Sequence, residues 1–471
     1  MRYVSTRGQA PALGFEDAVL AGLARDGGLY VPENWPLLGG DEREAIAALP
    51  YAEAAARVMH PFTGEALSLD ELNALTAKAY RGFAHPATAP LVQTGPSHWI
   101  IELFHGPTLA FKDLAMQVIG HLFDQILERK GETVTIVGAT SGDTGSAAIE
   151  AFRGRERARV FILYPDGRVS DVQRRQMTTP VEDNVQALAI KGDFDACQAL
   201  VKGMFNDHAF RDRMALGAVN SINWARVLAQ VVYYATSSMR LAGARSGTQE
   251  PSRVNYSVPT GNFGDIFAGL VAKRMGFPVG RLLIATNEND ILHRTLQSGR
   301  YETRPTERTL TPSMDIQVSS NFERLLFEVM DRDGAAVAAL MDELKATGAF
   351  ALSQGQVERL REDFDSASID REGTVAEIRR TRDETGMVLD PHTAVGHAAA
   401  REWDVEGPVV TLATAHPAKF AEAVVAATGA PAPLPPHLAD LMEREERMTR
   451  LPDDLAAVEA HIEGAARRAA A

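Results

Sequence analysis

The chain has 471 residues, 45% hydrophobic and 23% charged, which is typical of a globular protein with about two or three packed units. Its 62 acidic residues against 48 lysines and arginines give a net charge of −14, which argues against nucleic acid and anionic membranes as partners. The single cysteine, Cys197, cannot form an internal disulfide or a CxxC metal site and suits a reducing cytosol. Since there is no signal-type N-terminus and no run of about 18 apolar residues, we expect a cytoplasmic protein.

Residues 1–94 predict a mainly helical N-terminal unit. Ser68 and Glu71 fit a capping box at a helix start. The apolar residues that follow have helical spacing and form one face: Leu69, Leu72, Leu75 and Tyr80. We therefore expect a packing element here, and the proline-containing stretch 84–90 marks a boundary.

From about residue 95, short apolar runs alternate with helical patterns, which predicts an α/β fold with two doubly wound parallel sheets. We expect the first α/β domain at 95–248 and the second at 249–430, with a polar linker at 242–252. A charged helical tail, 431–471, follows the proline-rich stretch 429–437. Ligands of such folds bind near the carboxyl ends of the strands.

The stretch GATSGDTGSAA, residues 138–148, predicts an anion-binding loop. It follows the strand pattern TVTIV and opens a helix, where backbone amides and the helix dipole favour negative charge. It contains no GKS or GKT, its glycine spacing is not GxGxxG, and Ser141 lies one place too late for GxSxG. An ordinary capped helix remains the alternative.

Two further stretches could bind anions. VPTGNFGDIFAGL, residues 258–270, is again a strand, a glycine-rich loop and a helix. In VNSINWARVLAQ, Asn220, Ser221 and Arg226 offer amide, hydroxyl and guanidinium donors, and arginine binds phosphate in a bidentate way. Taken singly, the first is an ordinary turn about as often as a site, and the second is more often a polar surface.

Lys112, in HGPTLAFKD, lies at a predicted helix start, where the helix dipole disfavours positive charge. A solvated lysine is the common case. Burial and the positive helix end would instead lower its pKa and favour a neutral amine that attacks an aldehyde. Beside anion-binding loops, that chemistry suggests a Schiff base with a phosphorylated aldehyde. His105 could contact the ligand or cap the HGPT turn, and we expect the cap.

A zinc site finds little support in the sequence. His392 and His397 are five residues apart without an HExxH pattern, and His416 has no neighbouring ligand. We expect all three histidines to be caps or core residues.

Seven motifs follow one another along the chain: HGPTLAFKD, TSGDTGSAA, NSINWAR, PTGNFGD, TPSMDIQVSSNFERLLFE, DPHTAVG and LATAHPAKF. In this order and spacing they resemble the threonine synthase family, whose members are fold type II pyridoxal phosphate (PLP) enzymes of the tryptophan synthase β-like kind. The resemblance also includes the N-terminal YVSTRG and DGGLYVP and covers nearly the whole chain.

This resemblance implies that Lys112 is the Schiff-base lysine and then the acid and base that moves protons among the substrate carbons. Thr414 would face the pyridine nitrogen. A hydroxyl there keeps the ring nitrogen protonated less firmly than the carboxylate of an aspartate would. The loop that would hold the cofactor phosphate contains Gly261, Asn262, Phe263, Gly264 and Asp265.

For the substrate, the resemblance implies a carboxylate site in the TSGDTG loop and a phosphate site in NSINWAR. The carboxylate residues would be Thr140, Ser141 and Thr144. Asp143 would lie beside the phenolic oxygen of the cofactor, where other type II enzymes have asparagine, so that its carboxylate must share a proton or turn away. The phosphate residues would be Asn220, Ser221 and Arg226, with Asn262 and Thr144.

The implied reaction converts O-phospho-L-homoserine and water to L-threonine and phosphate by γ-elimination and β-addition of water. The alternative is another type II lyase, an amino-acid phosphate phospholyase or a dehydratase. A non-catalytic phosphate-binding protein would not need the amine of Lys112. We expect a monomer or homodimer acting on a small-molecule substrate.

Overall fold

The computed structural model describes residues 1–242 and 252–468, so the predicted linker at 242–252 lies almost wholly outside the described residues. The N-terminal elements are β1 (Tyr3–Ser5), α1 (Phe15–Ala21), β2 (Tyr30–Pro32), α2 (Gly40–Ala47), α3 (Tyr51–Thr63) and α4 (Leu69–Tyr80). The next are β3 (Leu91–Gln93), β4 (His98–Glu102), α5 (Lys112–Lys130), β5 (Val134–Ala139), α6 (Asp143–Phe152), β6 (Ala158–Pro165), α7 (Asp171–Thr178), β7 (Val185–Lys191), α8 (Phe194–Asn206), α9 (His208–Met214), β8 (Leu216–Gly217) and α10 (Trp224–Leu241).

After residue 252 the chain forms β9 (Val254–Pro259), α11 (Gly264–Arg274), β10 (Val279–Thr286), α12 (Ile291–Ser298), β11 (Arg300–Glu302), α13 (Phe322–Val329), α14 (Gly334–Thr347), β12 (Ala349–Ala351), α15 (Gln354–Asp363) and β13 (Phe364–Ser368). The last elements are α16 (Arg371–Thr385), α17 (Pro391–Glu402), β14 (Val409–Ala413), α18 (Ala421–Thr428), β15 (Thr449–Pro452) and α19 (Leu455–Arg468). None of the helices in these two described ranges is long and apolar enough to cross a membrane.

Two largely parallel sheets organise the α/β part of the molecule. One has the strand order β15-β7-β6-β5-β8, and the other β13-β10-β9-β14-β4-β3. Neighbouring strands are parallel throughout the first sheet, and only β3 and β4 are antiparallel in the second. The predicted α/β class with two parallel sheets is confirmed.

The sheets do not follow the order of the predicted chain segments. Strand β4 precedes the first sheet in sequence, but its residues His98 to Glu102 pair with β14 of the second sheet. Likewise β15, in the C-terminal tail, pairs with β7 of the first sheet. Hydrogen-bond pairing, and not chain order, decides which sheet a strand joins. The predicted domain ranges stay a prediction. One consequence is that α5 connects the two sheets, with Lys112 at its start.

The N-terminal unit is mainly helical, as predicted, and packs on the start of α10. The capping box of α4 is present, with Ser68 and Glu71 bonded reciprocally. The buried indole of Trp224 lies 6.0 Å from the ring of Tyr3, 6.0 Å from that of Trp35 and 5.8 Å from that of Phe62. Aromatic contacts of this kind fix the N-terminal unit against the helix that follows the NSIN segment.

Asn223 holds the start of α10 and provides a stability test. Its buried side chain donates to Val19 O at 2.8 Å and Ala218 O at 3.1 Å and accepts from Ala225 N at 3.0 Å. Because Asn223→Ala leaves these buried groups unpaired, we expect it to lower the free energy of unfolding by about 2–4 kcal/mol.

The matched control is Asn220→Ala, in the same segment, because the Asn220 side chain is exposed. Urea unfolding of the two variants should separate them, with the control within about 0.5 kcal/mol of the parent protein. Equal stability losses in both variants would contradict the capping role of Asn223.

Candidate active site

One cavity of about 640 Å³ lies where the loops after β5, β9 and β14 meet the starts of α5, α6 and α11. It is at the carboxyl ends of these strands, as expected for ligand sites of α/β folds. All the site residues predicted from the sequence line it: Lys112, Thr140, Ser141, Asp143, Thr144, Asn220, Ser221, Arg226, Gly261, Asn262, Phe263, Gly264, Asp265 and Thr414.

Lys112 is buried at the first position of α5, with its Nζ 4.6 Å from the centre of the Phe111 ring. The nearest carboxylate oxygen is Oδ2 of Asp143, 3.4 Å from Nζ. Burial lowers the pKa of the Lys112 amine from its usual value, and the Asp143 carboxylate opposes that shift. The charges of Arg226 and Lys419 lower the pKa further. This environment therefore favours a neutral amine more than water does.

Asp143 is the first residue of α6, and its carboxylate is paired on both oxygens. Oδ1 accepts from Lys419 Nζ at 2.8 Å and from Gln173 Nε2 at 2.8 Å, while Oδ2 faces Lys112. Burial alone raises the pKa of the Asp143 carboxyl, but the two lysines and the amide outweigh burial and hold that pKa well below its usual range. The Asp143 side chain is therefore ionised, and the neighbouring lysines and amide stabilise its buried negative charge.

Thr140 organises the loop between β5 and α6. Its Oγ1 accepts from Gly142 N and from Gly145 N, each at 2.9 Å. Gly142 has φ 136°, and a Cβ there would lie 2.3 Å from Cδ of Gln173. Glycine is thus required on two grounds, backbone conformation and space. Ser141 and Thr144 line the cavity beside this turn.

The loop between β9 and α11 brings further backbone amides to the cavity. Phe263 adopts φ 63°, a left-handed conformation that its ring stabilises by packing 5.4 Å from Phe322 and 5.5 Å from Phe364. A Cβ on Gly261 would lie 2.6 Å from Ser313 O, so only glycine allows this close approach. The helix then begins at Gly264, and its first amides lack intrahelical partners.

Asp265 and Arg226 are buried at the same cavity with unpaired polar atoms. Oδ1 of Asp265 accepts from the hydroxyls of Tyr233 and Tyr234, but its Oδ2 has no partner in the described part of the chain. Burial raises the pKa of Asp265 to about 6. Nε and Nη1 of Arg226 also lack partners among the described residues, and burial lowers the pKa of this guanidinium to about 10. An unpaired buried guanidinium favours the binding of an anion.

Asn321 and Arg324, in the motif SSNFERLLFE, connect the NSIN segment with the GNFGD loop, a role that the sequence did not reveal. Asn321 Nδ2 donates to Ser221 O at 3.1 Å and to Asn262 O at 2.9 Å. The fully buried Arg324 donates to Asn321 Oδ1, to Tyr30 O at 2.9 Å and to Ile222 O at 2.6 Å. Together they tie the NSIN segment and the GNFGD loop to the N-terminal unit.

Thr414 follows β14 and lies next to the start of α5. Its carbonyl accepts from Phe111 N at 2.8 Å, and its own amide donates to Thr393 Oγ1 at 3.1 Å. These bonds place Thr414 beside the residue that precedes Lys112. The side chain is buried and lines the cavity, where its hydroxyl can meet a ligand.

The four histidines considered in the sequence analysis, three as zinc ligands and one as a turn cap, have different roles. His416 accepts from Ala418 N as a cap, and the buried His397 lies 2.6 Å from Glu377 Oε1, both as predicted. His392 lines the cavity with its Nδ1 3.0 Å from Asp390 Oδ1. His105 lies 2.7 Å from Glu102 Oε2, so its side chain bonds a strand residue, where we expected a turn cap. Residues 1–242 and 252–468 contain no group of three acidic, histidine or cysteine side chains that could hold a metal.

The chain matches three family models over most of its length. Residues 2–80 match the model "Threonine synthase N terminus", residues 91–357 match "Pyridoxal-phosphate dependent enzyme", and residues 393–462 match "Threonine synthase, C-terminal". The cavity-lining loops described above fall within these three regions. The matches agree with the resemblance found in the motifs.

Full-length relatives lead to the same family. Threonine synthase of Pseudomonas aeruginosa is 52% identical over 98% of this chain and 98% of its own length. The crystal structure of PLP-bound threonine synthase from Brucella melitensis is 52% identical and covers 99% of this chain and 100% of its own, with a TM-score of 0.95. Threonine synthase from yeast is 39% identical over 99% of both chains, with a TM-score of 0.92. This chain therefore belongs to the threonine synthase family and is a pyridoxal-phosphate dependent enzyme of fold type II.

Proposed function

We propose that the chain converts O-phospho-L-homoserine and water to L-threonine and phosphate, with PLP held covalently on Lys112. The observation that carries the substrate is Arg226, a buried guanidinium whose Nε and Nη1 have no partner among the described residues. It belongs to a different segment from the GNFGD loop at the start of α11. These two groups of donors support separate sites for the phosphate of the cofactor and the phosphate of the substrate.

The residues present fit PLP. We propose that the amides of the loop Gly261–Asp265 hold its phosphate, since the helix start supplies unpaired donors and Gly261 leaves room for close approach. Thr414 would meet the ring nitrogen with a hydroxyl, which holds a proton there less firmly than a carboxylate. When bound, PLP draws electrons from the substrate carbons next to its link.

Lys112 is the residue that moves protons. Whenever its amine is not linked to the cofactor, burial would favour the neutral form of Lys112, which accepts a proton. It would take the protons from Cα and Cβ, return one to Cγ after phosphate leaves, and return the other to Cα once water has added its hydroxyl to Cβ and given its proton to the released phosphate. Asp143, 3.4 Å away, would keep the amine oriented through these transfers.

The remaining predicted residues would hold the substrate at its two ends. Thr140, Ser141 and Thr144 line the side of the cavity formed by the start of α6, where a carboxylate is favoured. The phosphate would lie between Arg226 and the residues Asn220, Ser221 and Asn262, with Thr144 at its edge. Anchoring both ends fixes the carbon chain against Lys112, so that little motion is needed between proton transfers.

A product assay tests the proposal directly. Purified protein loaded with PLP should release phosphate and L-threonine from phosphohomoserine in equal amounts, and the unphosphorylated homoserine should give no threonine. Release of phosphate together with 2-oxobutyrate, and no threonine, would assign the chain to the phospholyases. Deamination of free threonine or serine as the main reaction would assign it to the dehydratases.

We further propose that the enzyme acts in the cytoplasm as a monomer or homodimer, on small molecules alone. A net charge of −14 opposes binding to nucleic acid and anionic lipid. The one cysteine, Cys197, is fully buried in an apolar cluster, as a reduced core residue would be. Light scattering of the PLP-loaded protein measures the oligomeric state.

A further inference from the structure

A second lysine contacts the same carboxylate as the proposed catalytic lysine, that of Asp143. Lys419, in the motif LATAHPAKF, has a fully buried side chain. Its Nζ lies 2.8 Å from Oδ1 of Asp143 and 2.7 Å from the carbonyl oxygen of Thr108. It does not line the cavity, so it cannot touch a ligand there. A buried ammonium is costly unless it is paired, and this one is paired with an active-site carboxylate.

The Asp143 carboxylate lies between two lysines. One oxygen, Oδ1, faces Lys419, and the other, Oδ2, faces Lys112. Gln173 donates to Oδ1 as well, which prevents the carboxylate from turning. Any change in the charge of Lys419 is therefore transmitted through a fixed carboxylate to the nitrogen of Lys112.

Lys419 is itself held rigidly by the turn that leads into Lys112. The Thr108 carbonyl that it contacts also accepts from Gln176 Nε2 at 3.0 Å. The amide and hydroxyl of Thr108 donate to Asp113 at 2.8 and 2.6 Å, and Asp113 lies next to Lys112. The ammonium of Lys419 thus joins the turn before α5 to the start of α6.

We propose that Lys419 is a positioning residue that compensates the charge of Asp143 and thereby sets how firmly the Lys112 nitrogen holds its proton when it carries the cofactor. This inference rests on the proposed attachment of PLP to Lys112. The pair of Asp143 and Lys419 is neutral as a whole. The enzyme thus keeps a carboxylate beside the cofactor link without leaving a net negative charge there.

Other charged groups around Lys112 remain in place when Lys419 is changed. Arg226 adds positive charge from the start of α10, and Asp265 lies at the start of α11. Asp113 lies next to Lys112 along α5 and senses the charge of Lys419. These groups are present in all the variants below. Of them, Asp113 responds to Lys419, and the rise of its pKa in Lys419→Met removes negative charge and so works against the expected shift, which means that a shift to higher pH still reports Lys419.

The test is a spectral pH titration of the PLP-bound protein, which follows loss of the proton from the cofactor link by its colour. Lys419→Met removes a positive charge near that proton, so we expect the proton to leave at a higher pH, by about one pH unit or more. Asp143→Asn removes a negative charge and should shift the midpoint to lower pH. The double variant removes both charges and should return close to the parent protein.

The matched control is Lys273→Met. Lys273 also pairs with an aspartate, Asp363 at 2.7 Å, and donates to a carbonyl, Gly280 O at 2.9 Å, but it lies outside the cavity. Its titration should match the parent protein. An unchanged midpoint in Lys419→Met, or shifts of the same sign in the two single variants, would overturn the proposal, because a purely structural role predicts no opposite signs.

Folding and the proposed function are controlled separately. Lys419→Met could fail to fold because it leaves an uncompensated buried carboxylate. In that case Asp143→Asn and the double variant provide the same test, and the double variant must titrate at a higher pH than Asp143→Asn. If the parent protein forms a coloured link and makes threonine but the variants do not shift, only the role of Lys419 is wrong. If the parent protein forms no coloured link, the proposed attachment to Lys112 is wrong.

Discussion

Replacing Lys112 with alanine is expected to abolish threonine formation, lowering kcat by at least about 10³-fold, because one amine provides both the covalent link and the proton transfers. The variant should still fold. Removal of the Lys112 amine leaves no unpaired charge, since the Asp143 carboxylate retains Lys419 Nζ at 2.8 Å and Gln173 Nε2 at 2.8 Å. Borohydride treatment of the PLP-bound parent should fix the cofactor on the peptide that contains Lys112, and the variant should show no fixation there.

Two variants separate chemistry from charge and from helix stability. Lys112→Arg keeps a positive charge near Asp143 but offers no amine that forms the link, so it should be as inactive as the alanine variant. Lys130→Ala removes a lysine from the far end of the same helix, where it pairs with Asp17, and should retain normal activity. Substantial threonine formation by Lys112→Arg would show that the proposed role of this residue is wrong.

Replacing Arg226 with alanine should mainly impair use of the phosphorylated substrate. Its guanidinium lines the cavity and has two nitrogens without a partner among the described residues, and each hydrogen bond to a charged group contributes about 1.5–3 kcal/mol. We expect kcat/KM for phosphohomoserine to fall by about 10²- to 10⁴-fold. Binding of PLP, followed by its absorbance, should change little if the GNFGD loop holds the cofactor phosphate.

The controls for Arg226 distinguish its geometry from its charge. Arg226→Lys keeps the charge without the planar pair of donors, so its loss should be smaller than that of alanine but still measurable. Arg213→Ala removes an exposed arginine that pairs with Glu463, and its kcat/KM should equal that of the parent. An unchanged kcat/KM in Arg226→Ala, or loss of PLP binding instead, would refute the phosphate assignment.

Much of the candidate site can be predicted from the sequence because its parts are local. A strand, a glycine-containing loop and a helix start form an anion-binding arrangement within about a dozen residues, as in the segments before α6 and α11. Lys112 stands out for a local reason too, as a cation at a helix start. The motif order then leads to the family. Each of these inferences uses residues that are near neighbours in the chain.

Other parts of the site were not predictable because they depend on distant partners. The motif LATAHPAKF marks Lys419 as part of a family pattern, but nothing nearby in sequence indicates that its ammonium lies 2.8 Å from Asp143. Asn321 likewise bonds carbonyls of Ser221 and Asn262, 100 and 59 residues away. The pairing of β4 with β14 has the same cause, because a strand sequence does not specify its neighbour.

Asp143 shows where this division lies. From the sequence, its carboxylate beside the cofactor is a difficulty, since it must share a proton or turn away. The folded chain resolves the difficulty by bringing Lys112, Lys419 and Gln173 to the same carboxylate. Residue type and local pattern are enough to indicate which groups carry the chemistry. Their protonation depends on burial and on neighbouring charges, and only the packing of distant segments decides both.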